Sequence, residues 1–183
     1  MNLNLIERSR FRLSECAYNL AADYTKDQTT TLDAIDKIEI FLEDYPDSKY
    51  YSDISSMKLE LKYRLAKKAY ESAILYMKLQ EYKAALVYLI EIHNDNFEIA
   101  GRKKGPVPEG QKRIFKRLLD DVKIMTIYAY LLDDRKNMAI QFLEIYDDFY
   151  DLDYKDKAYE LVESNLDAFS FDRFKDIYFG ISK

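Results

Sequence analysis

The side chains that could do bond chemistry in this chain are one histidine, one cysteine and several adjacent aspartates. A histidine serves as general base when a nucleophile or a second acid stands beside it. His93, in "EIHN", has no such motif around it and falls at the end of an apolar helical run. There it is expected to support the carbonyls that close the helix. The single thiol, Cys16, has no disulfide partner and no metal-ligand spacing, and reads as a small core residue. The pairs Asp120–Asp121, Asp133–Asp134 and Asp147–Asp148 are adjacent in sequence, so they splay around a helix or turn and read as solvated faces and caps. The run Asp147, Asp148, Asp151, Asp153 lacks the glycine and closing glutamate of a calcium loop. No catalytic set, metal site or cofactor site is expected, and the chain reads as a non-enzyme.

A different kind of site is suggested by charge. Residues 94–117 carry seven basic and three acidic residues, while 118–183 carry eight basic and fifteen acidic. The basic residues gather in "GRKKGPVPEG" and the "QKRIFKR" that follows. Arg102, Lys103, Lys104, Lys112 and Arg113 form the candidate interaction loop, the first three within a predicted connection at 94–110 that holds three of four glycines and two of three prolines, the last two just after it. Connections this long inside a compact helical domain are usually functional or mobile. The two readings are a solvated connector and a surface for an acidic partner or lipid headgroups. The net charge of −5 gives no reason to expect nucleic acid.

The elements that must position these groups are helices. Four glycines and three prolines in 183 residues are too few for an all-β fold with many tight turns. Apolar periodicity predicts helices over 5–22, 32–45, 49–78, 83–94, 111–132, 137–149 and 154–169, with a short tail at 171–180. That makes an all-α fold of about seven or eight helices, one of them long, near 49–78, or roughly 45 Å at 1.5 Å per residue. The threonines of "YTKDQTTT" can cap the second helix, and Asp47 and Ser48 the third. Tyr45 precedes Pro46 and is biased away from the helical region, so the second helix should stop there. No stretch of about 18 apolar residues is present.

Three segments repeat one pattern: Ala34/Ile38/Phe41, Ala85/Leu89/Ile92 and Ala139/Leu143/Tyr146. Pro46 stands twelve residues after Ala34, and Ala73 twelve residues before Ala85, with Tyr76 following. This is the tetratricopeptide pattern. Two helices cross closely, so one side of each crossing must be small, and large residues fill the groove to the next pair. The alanines lie 51 and 54 residues apart, so each interval carries an insertion relative to a 34-residue repeat. One helical-repeat domain over 1–183 is expected, with units at about 5–48, 49–97, 111–151 and C-terminal helices over 154–180.

Asp27-Gln28-Thr29, Tyr45-Pro46, Ser48, Tyr50, Leu65-Ala66, Ala69, Glu71, Ala73, Tyr76, Tyr82 and Ala84-Ala85 carry a further signal. In this order they resemble the outer-membrane β-barrel assembly lipoprotein family (BamD-like), especially its Bacteroidetes branch. The resemblance covers about residues 8–93, and 111–183 only as general helical-repeat character. It implies a tetratricopeptide scaffold on the periplasmic face of the outer membrane that binds other assembly components and helps deliver unfolded outer-membrane proteins. It implies protein partners, no small-molecule substrate and membrane contact only through a lipid anchor. The family's lipidated N-terminal cysteine and its signal peptide have no counterpart in "MNLNLIERSR", and Cys16 is no lipobox. The first repeats of the family are also unmatched, so the chain reads as a middle-to-C-terminal piece or a shortened relative. The alternative reading is a generic cytoplasmic tetratricopeptide adaptor for an extended or acidic peptide.

Overall fold

The computed structural model describes residues 3–100, 109–149, 151–163 and 174. These residues form seven helices and, among them, no strand: α1 (Leu3–Leu20), α2 (Thr29–Asp44), α3 (Tyr51–Lys78), α4 (Tyr82–Ala100), α5 (Glu109–Leu132), α6 (Lys136–Ile145) and α7 (Leu152–Glu163). The predicted all-α class and the long third helix are found as expected. The chain divides into two compact units. One comprises the described residues up to Lys68 with α5 as far as Phe115, and the other Ala69–Ala100 with α5 from Lys116 onward.

In the first unit α1 packs against α2. Phe11, Ala17, Ala34, Ile35, Ile38, Phe41, Ile54 and Leu61 make its core. The Phe11 ring stacks on Tyr50 at 4.1 Å and meets Phe41 edge-on at 6.4 Å. The buried Ser14 hydroxyl shares its one proton between Arg10 O within α1 and Lys37 O across the crossing, both at 3.3 Å. Helix α2 ends at Asp44 with Tyr45 as its cap and Pro46 next, as the proline rule requires. Ser48 then donates to Glu7 Oε1 at 2.6 Å and accepts from Tyr50 N–H at 3.1 Å, which ties the start of α3 to α1. The threonines do not cap α2. Its cap residue is Gln28, and the side chain that serves the first turn is Asp27, whose Oδ1 accepts Thr29 N–H at 2.9 Å.

The second unit is built around the C-terminal half of α5. Val122, Ile124, Met125, Ile127, Tyr128 and Ala129 are all fully buried. A helix buried on every side is a core helix, enclosed by its neighbours. Tyr128 stacks on Phe174 at 3.8 Å with rings nearly parallel. Ala73 on α3, Ala85, Leu89 and Ile92 on α4, and Ala139 and Leu143 on α6 join this interior. Tyr146, the third member of the last pattern, is half-buried and packs at 4.6 Å on Phe142.

Within this unit one turn is built twice. Gln80 (φ 61°) ends α3 and Asp134 (φ 55°) ends α5. Glu81 N–H reaches Tyr76 O at 2.9 Å, and Arg135 N–H reaches Tyr130 O at 2.9 Å, the six-to-one bond of a left-handed helix stop. Each left-handed residue stands five positions before a buried alanine, Ala85 or Ala139. The same local geometry therefore sets the same helix-pair register 54 residues apart. A left-handed conformation disfavours any side chain, least for Asp or Asn and more for Gln. Gln80→Gly is accordingly expected to stabilise the protein by about 0.5–1 kcal/mol, and Asp134→Gly by less, in urea unfolding followed by circular dichroism.

Two predicted boundaries differ from those observed, each for its own physical reason. The connection predicted at 94–110 begins later, because α4 continues to Ala100, and Glu109 and Gly110 already belong to α5. "HNDN" reads as a helix end because Asn and Asp compete with the backbone. Here Asn96 is buried and donates from Nδ2 to Ile92 O at 2.8 Å, one turn back, so its amide is satisfied inside the helix. At the other end, α6 stops at Ile145 rather than continuing to 149. Lys123, itself buried, donates to Asp148 O at 2.9 Å and Oδ1 at 3.0 Å, and so holds the residues after α6 against α5. The predicted α7 end near 169 and most of the tail at 171–180 lie outside the described residues.

Candidate functional site

The predicted interaction residues fall partly on a helix and partly outside the described residues. Arg102, Lys103 and Lys104 lie outside the described residues. Lys112 and Arg113 sit on the first turns of α5, half-buried and exposed respectively, within the helix predicted from about residue 111. His93 and Cys16 differ from expectation. His93 is inside α4 and buried, with Phe142 and Tyr146 rings each 4.9 Å away. Burial, then the Lys123 charge, push its imidazole down to about 4, so it stands neutral and supports no helix end as a cation. Cys16 is exposed on α1 and not part of the core.

Of the aspartate pairs, Asp120–Asp121 is the one that is not solvated. Asp120 is fully buried, and burial pushes Asp121 up to about 6 against the Tyr154 hydrogen bond and the charges of Lys157 and Arg117. Asp147 and Asp148 are instead paired, with Lys155 at 2.7 Å and Lys123 at 3.0 Å. The repeat alanines Ala34, Ala73, Ala85 and Ala139 are fully buried, Tyr76 stacks on Tyr88 at 5.5 Å, and Pro46 is exposed. Among the described residues no group of three or more His, Cys, Asp or Glu could hold a metal ion. No described helix is long and apolar enough to cross a membrane.

What the first unit does present is a cleft of about 540 Å³. Its wall is a stripe of α3: Leu59, Glu60, Tyr63, Arg64 and Lys67. Those positions fall at i, i+1, i+4, i+5 and i+8, which is one face of a helix. Asp23 and Tyr24 come from the α1–α2 connector, and Gln111 and Ile114, three residues apart on α5, close the other side. Tyr63 meets the buried Phe115 ring edge-on at 5.7 Å, which seats the start of α5 beside α3.

The connector is held firmly. Gln28 Nε2 donates to Asp23 O at 2.8 Å and Lys26 O at 2.9 Å. Asp23 Oδ1 accepts the Thr25 N–H at 3.0 Å and hydroxyl at 2.9 Å, which lowers its pKa. Arg64 reaches Ala21 O at 3.3 Å, and Lys68 reaches Lys26 O. Behind the cleft, Tyr18 donates to Glu60 Oε2 at 2.6 Å and Arg64 pairs with Glu60 Oε1 at 2.6 Å. Burial pushes Glu60 up, but these two bonds outweigh it and its carboxyl stays below the ordinary range. Tyr18 is raised to about 12 by burial and by the same carboxylate.

Sequence reading did not find this cleft. Its only local signal is Ile114, an isoleucine inside the strongly basic "QKRIFKR" and 57% exposed.

Paired helices linked by a repeated left-handed turn define a tetratricopeptide-like helical repeat protein. Residues 8–99, half of the chain, match the YfiO family, described as outer membrane lipoprotein, and the chain belongs to that family. The buried Gln28 and the Asp27 cap of α2 lie inside the matched region. No curated protein matches the chain.

Proposed function

We propose that this chain is a non-enzymatic scaffold of outer-membrane protein assembly, acting on the periplasmic face of the outer membrane. It binds other assembly components and segments of unfolded outer-membrane proteins. The observation that carries this reading is the family match over residues 8–99 on a helical-repeat fold. Repeat arrays of this kind offer extended surfaces for protein partners. The Asp27-Gln28-Thr29 and Tyr45-Pro46 stretches support a place in the Bacteroidetes branch of the family.

The basic residues Arg102, Lys103, Lys104, Lys112 and Arg113 are proposed to meet an acidic face of one such partner. The test is capture from a cell-envelope extract with the tagged protein. Outer-membrane assembly components should be recovered, and less of them with Arg102, Lys103 and Lys104 all changed to Glu. That variant should also flatten the salt dependence of recovery. Recovery of no assembly component would remove the scaffold reading, and recovery indifferent to the charge reversal would leave these residues a mere connector.

A further inference from the structure

The cleft of the first unit keeps an unspent charge beside an exposed apolar surface. Among the described lining residues both carboxylates already accept hydrogen bonds within the unit, Asp23 from Thr25, and Glu60 from Tyr18 and Arg64. Arg64 is therefore engaged as well. Among the described lining residues the remaining cation is Lys67, whose Nζ lies 4.3 Å from the centre of the Tyr24 ring. A cation held over an aromatic face keeps its place without a counter-ion, so it meets an incoming carboxylate already oriented. Next to it the Ile114 side chain is exposed on α5 and the Tyr63 ring is half-buried, with Leu59 beneath.

We infer that this cleft binds an extended peptide segment in which an Asp or Glu stands beside an aliphatic or aromatic residue. The carboxylate pairs with Lys67, and the apolar side chain covers Ile114 and the Tyr63 ring. The inference deepens the reading of the chain as a protein-binding scaffold and rests on that reading for its partner being a polypeptide. Charge complementarity sets the chemistry of the occupant. Among the described lining residues, one cation outside an ion pair and flanked by fixed carboxylates suits a single acidic side chain, whereas a polyanion such as a nucleic acid would meet Asp23 and Glu60 as well. The apolar wall supplies contact area that a salt bridge alone lacks, since an exposed ion pair contributes little.

The test is selection of a displayed library of random nonapeptides on the full chain, repeated on Lys67→Glu and on Ile114→Ser. On the native chain, Asp or Glu next to Leu, Ile, Phe or Tyr should be enriched. On Lys67→Glu the acidic preference should vanish, and on Ile114→Ser the apolar one. A synthetic peptide carrying the selected pair should bind each variant at least tenfold more weakly, while circular dichroism shows both variants folded. Selection without acid–apolar pairs, or pairs unchanged in both variants, would overturn the inference. So would saturable binding of anionic phospholipid vesicles, weakened by Lys67→Glu, in a chain that selects no peptide. Peptide selection that succeeds while envelope capture fails would uphold the cleft and sink the assembly role, and the converse result would do the opposite.

Discussion

Phe41→Ala is expected to cost about 3–5 kcal/mol, a large share of the roughly 5–15 kcal/mol by which a domain is stable. The Phe41 side chain is 1% exposed and lies in the centre of the first unit's core. It meets Phe11 edge-on and Tyr45 at 5.2 Å, so its loss removes two ring contacts as well as apolar burial. Neighbouring Ile40 on the same helix is 48% exposed, and its truncation to alanine should cost less than about 1 kcal/mol. Urea midpoints of the two variants, followed by far-ultraviolet circular dichroism, separate the cases. Equal losses would mean that α2 does not bury the face described here.

That contrast was readable from the sequence, and the reason shows where such reading stops. Ala34, Ile38 and Phe41 recur at offsets of four and three, and a helix turns that spacing directly into one face. Pro46 marks the end of α2 because the restriction on Tyr45 is local. Local rules also found the long α3. They failed at Asn96, where a residue that usually breaks helices is satisfied by Ile92 O once it faces inward. They failed again at His93 and at the Asp120–Asp121 pair, whose states depend on rings and charges from distant segments of α5, α6 and α7. The cleft was invisible for the same reason. It joins an α3 stripe to Ile114, some fifty residues later, and no pattern in either segment announces the other.

Those two misread groups lead to the second large expectation, an opposed pair of titrations inside the second unit. His93 faces the Lys123 and Asp148 charges, with Phe142 and Tyr146 against its ring. Its folded pKa, about 4, lies below the ordinary 6.5. The unfolded chain therefore binds the proton first, and the stability tied to neutral His93 is intact above pH 6.5 and lost as pH falls toward 4. Asp121 behaves the other way. It faces Tyr154 and Lys157 on α7, Arg117 and Asp120 on α5, and Tyr70 on α3. Its folded pKa, about 6, lies above the ordinary 3.8, so the folded chain binds the proton first.

The cost of holding charged Asp121 is present above pH 6 and is relieved as pH falls toward 4. Between pH 7 and 5 the His93 loss is on the order of 2 kcal/mol and the Asp121 gain on the order of 1 kcal/mol. The native chain should therefore lose little stability over that interval. His93→Gln, which cannot take the proton, should gain stability on acidification, while Asp121→Asn should lose more than the native chain does. Acid-sensitive surface pairs such as Lys155–Asp147 are common to all three chains and cancel in the comparison. Urea unfolding of the three proteins at pH 7 and pH 5 reads the slopes directly. Parallel slopes would mean that neither group titrates as its burial requires. A reversed order would mean that charges beyond Lys123 and Tyr154 govern this interior.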